Sequence, residues 1–168
     1  MSFISDQLIE QLLQALRSQY QISPVADGSC LRAAGSFHRS VERRLGQQIR
    51  LWTRDTTRLL YLTHIPELDF QSLADCRQLA LETGTSKLET IPGHICTDDI
   101  SLVILCDRAQ PDAFDALIRS KLPVSHRRAL PCTLSFSVAA FDLSTGEVVC
   151  NRSGRFIKKL FPAAGSQS

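Results

Sequence analysis

No apolar run in this 168-residue sequence approaches the ~20 residues that a membrane-spanning helix needs. The longest is Val103-Ile104-Leu105-Cys106, with Ile100 and Leu102 just before it. The first residues, MSFISDQLIE, hold acidic side chains and no basic stretch ahead of an apolar one, so they do not read as a signal peptide. Glycine and proline are scarce, 8 and 7 residues, which excludes a fibrous or linker-like chain. Six cysteines are present, but no two stand at C-x-x-C spacing, so neither a zinc nor a dithiol motif is written here. Lysine is nearly missing, with 4 residues against 15 arginines. The chain also lacks a G-x-S-x-G elbow, a Gly-rich phosphate loop, H-E-x-x-H and G-x-G-x-x-G.

The length fits one compact domain, expected over residues 1–162 with a disordered tail at 163–168, and 43% hydrophobic residues suffice for its core. Net charge is only +2, yet it is unevenly spread. Residues 38–65 carry 6 basic and 2 acidic side chains, residues 66–112 carry 3 and 9, and residues 113–168 carry 8 and 3. An acidic middle between basic flanks suggests complementary faces that attract within the fold or between two copies. No stacking aromatics are interleaved with the arginines, which counts against nucleic acid. The cysteines follow the hydrophobic pattern: Cys76 is in helical phase with Phe70, Leu73 and Leu79, and Cys132 in strand phase with Leu134, Phe136 and Val138. They read as core thiols of a reducing, cytoplasmic protein without membrane association.

Periodicity gives the elements. Leu8, Ile9, Leu12, Leu13 and Leu16, with Phe3 and Ile4, predict an amphipathic helix to about Tyr20, followed by a loop over 21–29. Alternation predicts strands at about 30–39, 48–53 and 58–63, the last two joined by a turn at Arg54-Asp55-Thr56-Thr57. Asp69 caps a helix ended by Gly84, and Ile100–Cys106, apolar on both phases, reads as the central strand. A helix opens at Pro111 with Ala113, Phe114, Leu117, Ile118 and Leu122 inward, and a basic loop fills 124–131. Thr133–Phe141 and Glu147–Cys150 form a hairpin about Gly146, and a last short helix turns Phe156, Ile157, Leu160 and Phe161 inward before Pro162. The order α-β-β-β-α-β-α-β-β-α, with two hairpins and helical crossovers, predicts an α+β fold on a mixed sheet of about six strands.

Three clusters have residue types that chemistry uses. Asn151-Arg152-Ser153-Gly154-Arg155 places a glycine between arginines at a helix start, a seat for an anion that Arg127 and Arg128 would join. His64, Glu67 and Asp69, with Asp107 from the neighbouring strand, would resemble the ligand set of a metal-dependent hydrolase. The lysine that such chemistry adds is missing, because Lys87 is the only lysine before residue 120. His94, Asp98 and Asp99 stand ahead of the central strand and Asp107 and Arg108 behind it, too far apart for one site. Without a catalytic motif or an implied cofactor, the sequence points first to a non-enzymatic interaction domain, partnered by protein and chiefly by itself as a homodimer. Anion or nucleic-acid binding through Arg127, Arg128, Arg152 and Arg155 comes second, and metal-assisted hydrolysis third.

Overall fold

The computed structural model describes residues 3–25 and 30–161. Helix α1 (Phe3–Leu16) leads into strands β1 (Gln21–Pro24), β2 (Leu31–Leu45) and β3 (Ile49–Leu68). Helix α2 (Phe70–Thr85), strand β4 (His94–Ala109), helix α3 (Pro111–Ile118), strands β5 (Thr133–Asp142) and β6 (Val148–Cys150) and helix α4 (Arg155–Lys158) follow. The six strands lie side by side in chain order. β3, β4 and β5 are parallel neighbours, and the remaining pairs are antiparallel. The fold is therefore an α+β mixed sheet in the expected element order. The side chains of Phe3 and Ile4, part of the 21–29 loop, Pro162 and the tail lie outside the described residues.

Two parallel steps need two crossovers, and α2 and α3 supply them on one face. Leu73, Cys76, Ala80 and Leu81 of α2 and Ala113, Phe114 and Leu117 of α3 pack there on Ile100, Leu102, Ile104 and Cys106. On the other face Leu8, Leu12 and Leu16 of α1 and Ile157 of α4 cover Leu60, Leu62, Val103 and Leu105. Successive side chains of a strand point to opposite faces, so a strand covered on both must be apolar on both phases. Leu59, Leu60, Tyr61, Leu62 and residues 102–106 of β4 meet that condition, as read for the central strand. The edges are short strands, β1 with Pro24 and three-residue β6, which offer little backbone for outside pairing.

The three strands before α2 differ from their expected bounds. Residues 54–57 are not a turn but the middle of β3, a 20-residue strand about 65 Å long at the usual rise. The turn falls at 46–48, where Gly46 adopts φ +67. Arg54–Thr57 stay extended because strands on both sides hold their backbones, with Asp55 opposite Ser40 of β2 and Cys96 of β4. The third strand is β1, inside the predicted loop. His94–Asp99 likewise belong to β4 rather than to a loop before it. Three inward assignments also change: Phe70, Ile118 and Phe156 are exposed. Phe70 opens α2, Ile118 closes α3 and Phe156 stands in the first turn of α4. Cys76, Cys96, Cys106 and Cys132 are buried thiols as expected, while Cys30 is exposed and Cys150 half-buried. Burial pushes the thiols of Cys76 and Cys96 up to about 11 and Cys106 to about 12, so they stay protonated and inert.

Candidate functional site

The helices cover only one end of the sheet. At the other end, formed by the C-terminal half of β2 and the starts of β3, β4 and β5, side chains stand on a largely open surface. β2 meets β1 only at residues 33–36, and β3 meets β4 only from Thr53 onward. Residues 43–52 therefore form a ribbon of two strands joined to nothing else. Every residue from 38 to 51 is exposed, including the apolar Val41, Leu45, Ile49 and Leu51. Arg39, Arg43, Arg44, Arg50 and Arg54 make this arm strongly basic, with Glu42 bridging Arg44 at 3.1 Å and Arg50 at 3.9 Å. The guanidinium of Arg54 lies 5.4 Å from the ring centre of Trp52, and that of Arg58 5.5 Å from Phe37. Aromatics are thus interleaved with arginines after all. Trp52 and Arg54 share one face of β3 two residues apart, while cross-strand pairing brings Arg58 to Phe37 of β2.

Behind the arm, the two faces of the open end differ. On the α2 face Asp55 accepts hydrogen bonds from Ser40 Oγ at 2.7 Å and His94 Nδ1 at 2.6 Å. The Ser40 hydrogen bond is the main cause holding the Asp55 carboxyl below the usual range, with His94 adding to it. The carboxylate sits between serine and histidine, so the imidazole does not reach the hydroxyl and no nucleophilic relay exists. Beside it Arg128 pairs with buried Asp98 and also bonds Thr90 and the Glu89 carbonyl.

On the α1 face a cleft of about 510 Å³ opens between the end of α1, the sheet and the start of α4. Asp99 stands on its floor and accepts from Ser101 Oγ at 2.7 Å, Ser135 Oγ at 2.6 Å and Ser137 Oγ at 3.2 Å. Arg58 is its register partner on β3, yet makes no salt bridge among the described residues and rests on Phe37 instead. Tyr20 leans in from the end of α1. Burial above all, with the Asp99 charge next, raises its phenol above the ordinary value, so the hydroxyl stays a proton donor. Phe156 of α4 and the hydroxyls of Thr56, Thr97 and Ser153 complete the lining.

The residues singled out in the sequence do not assemble as one site. His64 Nε2 meets Asp107 Oδ1 at 2.9 Å, but Glu67 is taken by Arg108 at 2.8 Å and Gln110 at 3.1 Å. Asp69 caps α2, accepting from Ser72 N at 2.7 Å while Ser72 Oγ accepts from Asp69 N at 2.8 Å. Among the described residues no three His, Cys, Asp or Glu side chains are grouped so as to hold a metal ion. Arg127 and Arg128 both line a groove with Lys121 and Leu134, where Arg128 is already paired with Asp98. Arg152 and Arg155 are exposed on the turn into α4, next to Ser153 and Phe156 of the cleft. Asn151, which leads into that turn, is a buried structural clamp. Its Oδ1 accepts from Val138 N and Gly154 N, and its Nδ2 donates to the carbonyls of Ser120 and Phe136.

Sequence reasoning missed the arm arginines together with Tyr20 and Arg58. It grouped Asp99 with His94 and Asp98, which stand on the other phase of β4, rather than with the serines of this cleft. A signal was present: Ser135 and Ser137 share one phase of a strand whose other phase is apolar, which marks a polar patch on a sheet face. No helix among the described residues is long and apolar enough to cross a membrane. Comparison with curated proteins and with solved structures gives no significant match. The profile of one family does match, over residues 5–163, and the chain thus belongs to a domain family of unknown function, DUF8052.

Proposed function

We propose that this domain is a non-enzymatic interaction module that forms a homodimer, each copy's basic arm lying on the acidic outer stripe of α2 in the other. The observation that carries the reading is the two-stranded ribbon at 43–52. An isolated hairpin is marginally stable in water, and three large apolar side chains exposed along this one, Leu45, Ile49 and Leu51, favour cover, with Val41 exposed just before it. Two basic arms repel each other, so the cover is found elsewhere on the partner. Gln71, Asp75, Gln78 and Glu82 form one exposed stripe at helical spacing along α2, and neither acid is in a salt bridge. Exposed Phe70 at the start of α2 gives the stripe an apolar anchor. In a two-fold dimer the contact occurs twice, which doubles the charge complementarity. Six free cysteines support placing this dimer in the reducing cytoplasm.

Native mass spectrometry and light scattering at low and high salt test the reading. A dimer is expected at low salt, weakened as salt rises. Asp75→Lys with Glu82→Lys should give a monomer, as should Arg43→Glu with Arg44→Glu. Combining the four substitutions should restore the dimer, because the charges are exchanged rather than removed. A monomer under all conditions would sink the proposal. Retained oligonucleotide would shift the reading to nucleic acid held by the Arg54–Trp52 and Arg58–Phe37 pairs.

A further inference from the structure

The cleft on the α1 face is built differently from the arm. A carboxylate and a guanidinium on facing register positions ordinarily pair, and here they do not. Three serine hydroxyls point their protons at Asp99 and satisfy it in place, at 2.6–3.2 Å. Arg58 is drawn aside onto Phe37, so its charge is left at the rim of the cleft. Ser101 and Ser137 are buried beneath the carboxylate, Ser137 also reaching the Ser153 carbonyl at 3.2 Å, so the exposed Ser135 is the serine whose oxygen stays an acceptor toward the cleft. A carboxylate with about four acceptor positions keeps one beyond the three used. Tyr20 adds a donor and Phe156 a partly exposed ring.

This lining selects against several ligand classes. A metal ion would need more than one carboxylate facing it, and Asp99 is already occupied. A bare anion would use Arg58 and leave the hydroxyls idle. A nucleotide would call for a wider aromatic platform and more than one cation. A molecule with one anionic group, several hydroxyls and one apolar face uses every group present, and the cleft is within the size range of small-ligand sites. We propose that the cleft binds an anionic monosaccharide, its phosphate or carboxylate on Arg58, its ring hydroxyls on Asp99, Ser135 and Tyr20, and its apolar face against Phe156.

Isothermal titration with glucose 6-phosphate, glucuronate, glucose and inorganic phosphate tests this. At least one of the two charged sugars should bind, and which one does identifies the anion; glucose and phosphate should bind more weakly. Arg58→Gln should weaken the charged sugar about tenfold or more, the worth of one charge-assisted hydrogen bond, and leave glucose unchanged. Ser135→Ala should weaken charged and neutral sugars alike. Both side chains are exposed, so a circular dichroism spectrum matching the parent is expected of each variant. No binding of either charged sugar at millimolar concentration would overturn the proposal. So would phosphate binding as tightly as glucose 6-phosphate, or indifference to Arg58→Gln. None of these readouts depends on the oligomeric state of the arm.

Discussion

β3 and β4 each pass through two environments, and the same kind of residue behaves differently in each. Leu60 and Leu62 of β3 are fully buried between α1 and the rest of the sheet, whereas Ile49 and Leu51, ten residues earlier, are more than half exposed. The buried end gives most of its polar groups a dedicated structural partner: Asp69 on its cap, Asp142 on Ser144 and Ala109, Asn151 on four backbone groups. The Tyr61 hydroxyl and Arg77 Nε are exceptions, buried there without a hydrogen bond among the described residues. At the open end, by contrast, Arg58, Arg54 and the serines of β5 face a cleft or solvent. Stability is concentrated where helices close both faces. On the reading proposed above, recognition falls to the surface they fail to reach, since a side chain committed to the core is not free to meet a ligand.

The sharpest way to test that division is at the buried end. Asn151→Leu strands three buried backbone groups, Gly154 N keeping the Asn151 carbonyl at 3.1 Å, and at about 1 kcal/mol or more for each it should cost on the order of 3 kcal/mol or more, read as a fall in the urea midpoint at constant slope. Leu60→Ala removes a fully buried side chain and should cost about 3 kcal/mol in the same assay. Asp55 reports on the boundary between the two ends. Its folded carboxyl titrates below the unfolded one, so its contribution is fully present above the unfolded value of about 4 and is lost as pH falls through the folded value. Unfolding midpoints measured from neutral pH down through this window should therefore fall less steeply for Asp55→Asn than for the parent. Leu51→Ala is the mirror of Leu60→Ala at the open end. It should move the monomer's stability by no more than about 0.5 kcal/mol. A loss as large as that of Leu60→Ala, measured on the monomer, would break the comparison.

Much of the buried end was legible in advance. Ile100–Cys106 is apolar on both phases because helices press on it from both sides, and the double crossover with the hairpin that follows it could be read in order from period and turn residues, whereas the hairpin before it was placed about the wrong turn. The capping role of Asp69 and the turn at Gly146 were equally local, resting on a carboxylate that reaches its own helix start and a backbone at φ +75. The open end was not legible. Arg54–Thr57 resemble a turn by composition, and nothing nearby in sequence reveals that β2 and β4 hold them straight. Asp99 looks like a loop acid until Ser135 and Ser137, more than thirty residues away, are brought beneath it.

Period and local chemistry therefore determined by themselves the class of fold, the order of its elements, the Asp69 cap and the apolar middle of the central strand, since each depends on neighbours within a turn or two of chain. Strand pairing alone decided where the long hairpin turns, that Arg58 meets Phe37, that Asp99 is satisfied by serines rather than by arginine, and that the metal-type and arginine clusters disperse. Those outcomes depend on register between distant strands and on how far each helix reaches along the sheet, quantities that are set only when the whole chain packs.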